Sequence, residues 1–368
     1  MKWLSKRKIK WTRIKTILLL NAAKEGHVQN VKVLLQGKTA FVNGTSKHGE
    51  TPLYLAARGG NEKITELLLC EEGILVNMAR DGGFSPLYAA AEQGHDKVVE
   101  LLLKKEGIQV NLATDGGFTP LYVAAYLGHF HVVELLLRKE GIKVNQASND
   151  GSTPLHTAAM NKHHKVIELL LRKEGIQVNQ ANIGGFPPLY LAAKCGHDKV
   201  VELLLRKEAI EVNQTTNDGF TPLYAAADHG HDKVVKMLLQ HNDIQVNLAS
   251  TALEATPLHT SASRGHEKVV ELLLSKIGIQ VNQLMTNGIT PLFLAAQNGH
   301  DKVVKLLLKK DGIQVNLQDL QIGALRRHGK VVEMLLRRRE FRGLGWNGWR
   351  PHRRNPQPCQ LPIGYGGP

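Results

Sequence analysis

The sequence predicts an all-α solenoid of stacked helix–turn–helix units joined by short hairpin loops. Three observations carry that reading. A Thr-Pro-Leu-aromatic block, or a near copy, begins at Thr51, Ser85, Thr119, Thr153, Pro187, Thr221, Thr256 and Thr290, at successive offsets of 34, 34, 34, 34, 34, 35 and 34 residues. Each block opens a run with leucine and small residues at helical spacing, and each is followed by a second amphipathic run. A stretch rich in Gly, Asp and Asn then turns the chain back before the next block.

One unit shows why each element forms. Thr119 has the side chain of an N-cap, and Pro120 suits the first helical position because it has no amide to leave unpaired. Leu121, Ala124 and Ala125 share one face, where the alanines let a neighbouring helix approach. Gly128 ends this helix in the left-handed conformation that other residues resist. Val132, Val133, Leu136 and Leu137 form the apolar side of the second helix. Glu134 stands four residues before Arg138, a pairing repeated at Glu168–Arg172 and Glu202–Arg206, each worth a few tenths of a kcal/mol. In the sixth unit Pro187 replaces the capping hydroxyl, a loss of about 1 kcal/mol. His163 is read as standing where the fifth unit should carry its helix-ending glycine.

On these residues the unit resembles the ankyrin repeat: Thr-Pro-Leu-His, Ala-Ala, Gly-His, Val-Val-x-Leu-Leu-Leu, then Val-Asn. Only His156 and His259 match the histidine of the first motif; Tyr54, Tyr88, Tyr122, Tyr190, Tyr224 and Phe293 stand there in other units. The resemblance covers roughly residues 17 to 341. It implies a non-catalytic array whose partners contact the hairpin tips and first helices on the concave side.

The chain therefore divides into a basic N-terminal arm at 1–16, an array at 17–341 of about nine full units and a truncated tenth, and a tail at 342–368. The tail is rich in Arg, Gly, Pro and Trp and is expected to be disordered. It is compatible with a genuine extension, a shifted reading frame or a wrongly assigned exon. Unit one, about 17–50, lacks the Thr-Pro cap, as a terminal unit often does because one face meets water. In the tenth unit, Asn316 to Lys330 spans 14 residues, whereas Asn111 to its counterpart His131 spans 20. The shortfall of six is read as loss of most of the first helix, leaving a lone second helix at 330–339 and a structureless chain from Gly343. The finger before Thr256 (249–255) carries an extra residue and no glycine, and should differ from its neighbours.

Charge is unevenly placed. The net charge is +14, of which residues 1–16 carry +7 and residues 324–368 carry +8, leaving the intervening array at −1. All four tryptophans lie in these basic ends. The arm, with Lys6-Arg7-Lys8-Ile9-Lys10, reads as a solvated lead-in, against which stand a nuclear-import signal, an anionic-surface contact or a transit peptide. Ile17 to Leu20 is too short for a secretory core, and no run approaches a membrane span. Three widely spaced cysteines (Cys70, Cys195, Cys359) suggest neither a disulfide framework nor a zinc site. The expected location is the cytosol, with the nucleus as the alternative.

No pattern of catalytic residues emerges. Gly343-Leu344-Gly345-Trp346-Asn347-Gly348 matches a dinucleotide fingerprint formally, but it neither follows a strand nor opens a helix. The recurring histidines, read as His95, His129, His164, His197, His231, His266 and His300, stand one per unit, too far apart to share a metal, and serve to stabilise turns. No enzyme, cofactor or metal site is expected.

The candidate partner-binding residues are those that vary between copies on the side that ankyrin repeats use. Just before the cap stand Phe84, Phe118, Phe186, Phe220 and Ile289. After the paired alanines stand Glu92, Gln93, Tyr126, Leu127, Lys194, Asp228 and His229. The phenylalanines are either packing between fingers or an apolar stripe shown to a partner. The function expected is a monomeric scaffold or adaptor holding a protein or peptide on its concave face. Two alternatives are a binder of nucleic acid or anionic membrane through the Trp-containing ends, and the targeting arm of a larger assembly such as a ubiquitin-ligase adaptor. Phosphate binding should weaken steeply with salt, whereas an apolar concave contact should not.

Overall fold

The computed structural model describes residues 2–36 and 42–337, with side chains from Arg13 onward. Twenty helices and no strand occur among the described residues, the one β-bridge being Arg80 with Phe84. The helices alternate in two rows. Each first helix packs on the first helices of the units beside it, and each second helix on its own first helix and on neighbouring second helices. One apolar core runs through the stack, from Leu19 to Leu335.

The caps behave as their chemistry requires. The Thr119 hydroxyl accepts from the Tyr122 amide at 3.1 Å, and the same bond forms at Thr51, Ser85, Thr221 and Thr290. The helix Pro188–Lys194 begins without any side-chain cap, as Pro187 dictates. Ion pairs form at Glu134–Arg138 and Glu202–Arg206, while Glu168 and Arg172 form none with any described residue.

Three polar ladders recur between neighbouring units, the lysine one being absent between units six and seven, where His241 takes the lysine's place. The asparagine of Val-Asn bridges forward: Asn111 Nδ2 donates to the Gly141 carbonyl at 2.7 Å, and its Oδ1 accepts from the Lys143 amide at 2.9 Å. A lysine reaches back: Lys139 Nζ donates to the Leu103 carbonyl at 2.7 Å, satisfying a helix terminus that has no partner within its own helix. The histidine of Gly-His also reaches back, His129 Nε2 lying 3.0 Å from the Glu92 carbonyl. The histidines thus act between units and not only within a turn.

That ladder corrects the reading of the fifth unit. His163, not His164, takes the ladder position, with Nε2 2.9 Å from the Tyr126 carbonyl. Lys162, not His163, occupies the glycine site, at φ +64°. At the equivalent Gly128 a Cβ would also come within 2.5 Å of the His163 ring, so glycine there supplies room as well as backbone freedom. A left-handed lysine costs about 1–2 kcal/mol, less the chain entropy that glycine forfeits. Lys162→Gly is therefore expected to stabilise unit five by about 0.5–1 kcal/mol, read as slower local amide exchange around residues 157–167.

The basic N-terminal segment enters one helix, Lys2–Glu25, so the boundary drawn at residue 16 falls inside a continuous element. At the other end the expectation of a missing first helix is corrected. Leu317–Leu325 and Gly329–Leu336 form a pair, the former packing on the first helix of unit nine. What is missing is the hairpin finger. Asn316, the asparagine that elsewhere precedes the finger, is itself the N-cap and accepts from the Asp319 amide at 3.0 Å. The first helix is longer than usual, which offsets part of the loss. His328 keeps the ladder, 3.1 Å from the Gln297 carbonyl. The expected helix at 330–339 is observed as Gly329–Leu336, and the expectation for the chain beyond Gly343 falls outside the described residues.

Candidate partner-binding face

Each finger delivers the residue before the cap onto the first helix. In unit four the Thr114 amide donates to the Phe118 carbonyl at 3.1 Å, and the Thr114 hydroxyl accepts from the Phe118 amide at 3.2 Å. The Asp115 amide reaches the preceding finger at the Gly82 carbonyl, 3.0 Å away. Fingers are thus joined by backbone, and the rings are left to pack on aromatic side chains four residues on. Phe118 meets Tyr122 with ring centroids 4.9 Å apart, Phe186 meets Tyr190 at 5.3 Å, and Phe220 meets Tyr224 at 4.6 Å. Phe84 and Tyr88 meet edge-to-face at 5.2 Å, and the Arg80 guanidinium lies over the Phe84 ring at 4.0 Å.

These rings are neither fully buried nor free. Phe84, Phe186 and Phe220 are half-buried and Phe118 is 36% exposed. Burial of the tyrosines beneath them pushes the Tyr88 and Tyr190 hydroxyls up to about 12. Ile289 differs, packing against a small cluster of Ala255, Met285 and Leu294 that is separate from the main core.

The residues after the paired alanines are more exposed. Tyr126 and Leu127 are 43% and 41% open, and Gln93 and Lys194 are also exposed. Glu92 is half-buried and accepts from Gln93 Nε2 at 3.3 Å. Asp228 is the most engaged: Arg264 Nε donates to its Oδ1 at 3.1 Å, and the Thr260 hydroxyl donates to the same oxygen. His229 beside it places Nδ1 3.0 Å from the Ala225 carbonyl.

Units six to nine enclose a groove of about 640 Å³ that brings Lys194, Phe220, Asp228 and His229 together. Ile289 packs beneath it; Phe84, Phe118, Phe186, Glu92, Gln93, Tyr126 and Leu127 belong to the same repeat positions elsewhere along the array. Leu253, Met285, Thr260 and Arg264 also line the groove and were not selected from the sequence. The signal that points to them is the irregular finger. Its extra residue widens the turn, so the Ser250 amide bonds to the Ala255 carbonyl, five residues on, and Glu254 is forced to φ +53°.

Among the described residues no group of three or more His, Cys, Asp or Glu could hold a metal ion, and no helix is long and apolar enough to cross a membrane. Cys70 and Cys195 are free thiols; Cys359 lies outside the described residues.

A repeated helix pair, a hairpin finger and a Gly-His hinge define a helical repeat protein. A family model described as ankyrin repeats (3 copies) matches residues 19–114, 74–148, 107–182, 175–250 and 247–319, and the chain belongs to the ankyrin-repeat family. Ankyrin repeats are generally protein–protein interaction modules and typically non-catalytic. A comparison with curated proteins finds no match.

Proposed function

We propose that the array is a non-catalytic scaffold or adaptor that holds a protein or peptide on the face formed by its fingers and first helices. The observation that carries this is the row of half-exposed rings, Phe84, Phe118, Phe186 and Phe220, each set on an aromatic side chain of its own unit or, for Phe84, beneath a guanidinium as well. Partly exposed aromatic side chains held in place by a neighbouring ring offer large contact area at little entropic cost. Exposed Tyr126 and Leu127 extend the apolar character onto the end of a first helix. A single chain acting in the cytosol is the setting this reading assumes.

Changing Phe84, Phe118, Phe186 and Phe220 together to serine tests it. The expected result is loss of the proteins that proximity labelling finds around the wild-type chain, with far-ultraviolet helicity largely retained. Collapse of helicity would make the rings packing residues. Retained capture with retained helicity would move the binding surface elsewhere, and steep salt dependence of that capture would favour the basic ends.

A further inference from the structure

The groove across units six to nine lies on the face formed by the fingers and first helices, and its finger departs from the pattern of the other units. At the finger position that carries phenylalanine in four other units stands Ala255, 4% exposed, so no ring covers the first helix there. The aromatic position beneath is occupied by His259, fully buried and drawn under the fingers by bonds to the Thr256 amide and the Ile289 carbonyl. The space so left has an apolar floor of Leu253, Ala255, Met285 and Leu294, set apart from the main core. The widened finger, with Glu254 in the left-handed region, holds it open.

The charged lining is unbalanced. It contains Lys194, Arg264 and Asp228. The Asp228 carboxylate is already committed to Arg264 and to the Thr260 hydroxyl, which fixes the guanidinium at the rim. Lys194 is exposed and forms no ion pair with any described residue. Glu254 lies on the finger but not in the lining. One positive charge is therefore left without a partner beside an apolar floor.

We propose that this groove is the docking site for an acidic peptide segment, one apolar side chain entering over Ala255 and Met285 and flanking carboxylates meeting Lys194 and the outer edge of Arg264. This rests on the concave-face reading and adds the chemistry of the ligand. The chain's own C-terminal segment has the wrong sign, since residues 324–368 carry +8.

The test uses short fluorescein-labelled synthetic peptides with a central Leu, Phe or Trp flanked by glutamates, lysines or serines, and one peptide spanning residues 338–368, titrated onto the full chain by anisotropy. Glutamate-flanked peptides are expected to bind at least about tenfold more tightly than lysine-flanked ones. Ala255→Phe, which places there the ring that four other units carry, should weaken them by about tenfold or more. Lys194→Glu, at an exposed site that folding does not require, should weaken the glutamate peptides severalfold at low salt and less at high salt. Absence of binding by any peptide, equal affinity for both charge classes, tighter binding of the 338–368 peptide, or indifference to both substitutions would each overturn the proposal. If glutamate peptides bind Ala255→Phe normally but not the four-serine chain, the groove assignment fails while the concave-face reading stands. Conversely, a four-serine chain that keeps its cellular partners defeats the broader reading whatever the peptides do.

Discussion

Leu136→Ala is expected to destabilise the array by about 2–5 kcal/mol and to do so locally. Leu136 is fully buried in the second helix of unit four, in the core between the helices of its own unit and those of units three and five. Removing its isobutyl group leaves a cavity, because the polar ladders on either side limit how far the helices can close. The Asn111 bond to Gly141 and the Lys139 bond to Leu103 join units three and four, and the Asn145 bond to Gly175 and the Lys173 bond to Leu137 join units four and five, each holding the spacing independently of core packing. In a nearest-neighbour array, stability is a sum of unit and interface contributions, so the damage should uncouple unit four from units three and five before it is felt at the ends. Hydrogen exchange should show protection falling first across residues 120–138, then in the adjoining units. Uniform loss of protection along the chain would mean that the array unfolds as one cooperative body.

The repeat was legible because its residues are under geometric constraint. Pro at the first helical position, paired alanines and a glycine at positive φ each have few substitutes, so the pattern recurs at fixed spacing and the helix pairs follow. What escaped was of two kinds. The ladders formed by Asn111, Lys139 and His129 join residues about one repeat apart, and nothing local to those polar side chains announces which carbonyl they will find. The fifth-unit hinge was misaligned by one residue because Lys162 has no glycine-like signature, and only its φ of +64° reveals its place. The tenth unit failed for a related reason. Without a Thr-Pro-Leu block the deletion counted from the asparagine points to the helix, whereas Asn316 can cap a helix as well as threonine does. For the binding face, the variable positions could be located but their engagement could not. Asp228 is held by two side chains of the next unit, while Tyr126, at a position chosen on the same ground, is open.

Acidification should weaken units five and eight through their two buried histidines. His156 and His259 replace the tyrosine or phenylalanine of the other units and are almost completely buried. Burial pushes both imidazoles down to about 4, while the bonds from Nε2 to the Phe186 and Ile289 carbonyls act in the opposite direction. Geometry gives the same sign: Nδ1 accepts from the Thr153 or Thr256 amide at 3.1 or 3.2 Å, and a proton there would break that cap. An unfolded histidine titrates near 6.5, so the folded value is the lower one and the contribution is complete above about pH 6.5. It is lost as pH falls toward 4, by about 3 kcal/mol for each residue. Asp319 works the other way at the end of the array. Burial raises its carboxyl to about 6, so its effect on unit ten is favourable below the unfolded value near 4 and is lost as pH rises through 6. The two effects are separable because they sit in different units. His156→Gln with His259→Gln keeps a side chain that can accept from the cap amide, as glutamine does in a capping box, but does not titrate. Between pH 7 and 4.5 the wild-type chain should lose about 5 kcal/mol more than this double variant, with amide protection falling first in units five and eight. Equal losses in both chains would show that these imidazoles remain neutral, or carry their protons without breaking the caps.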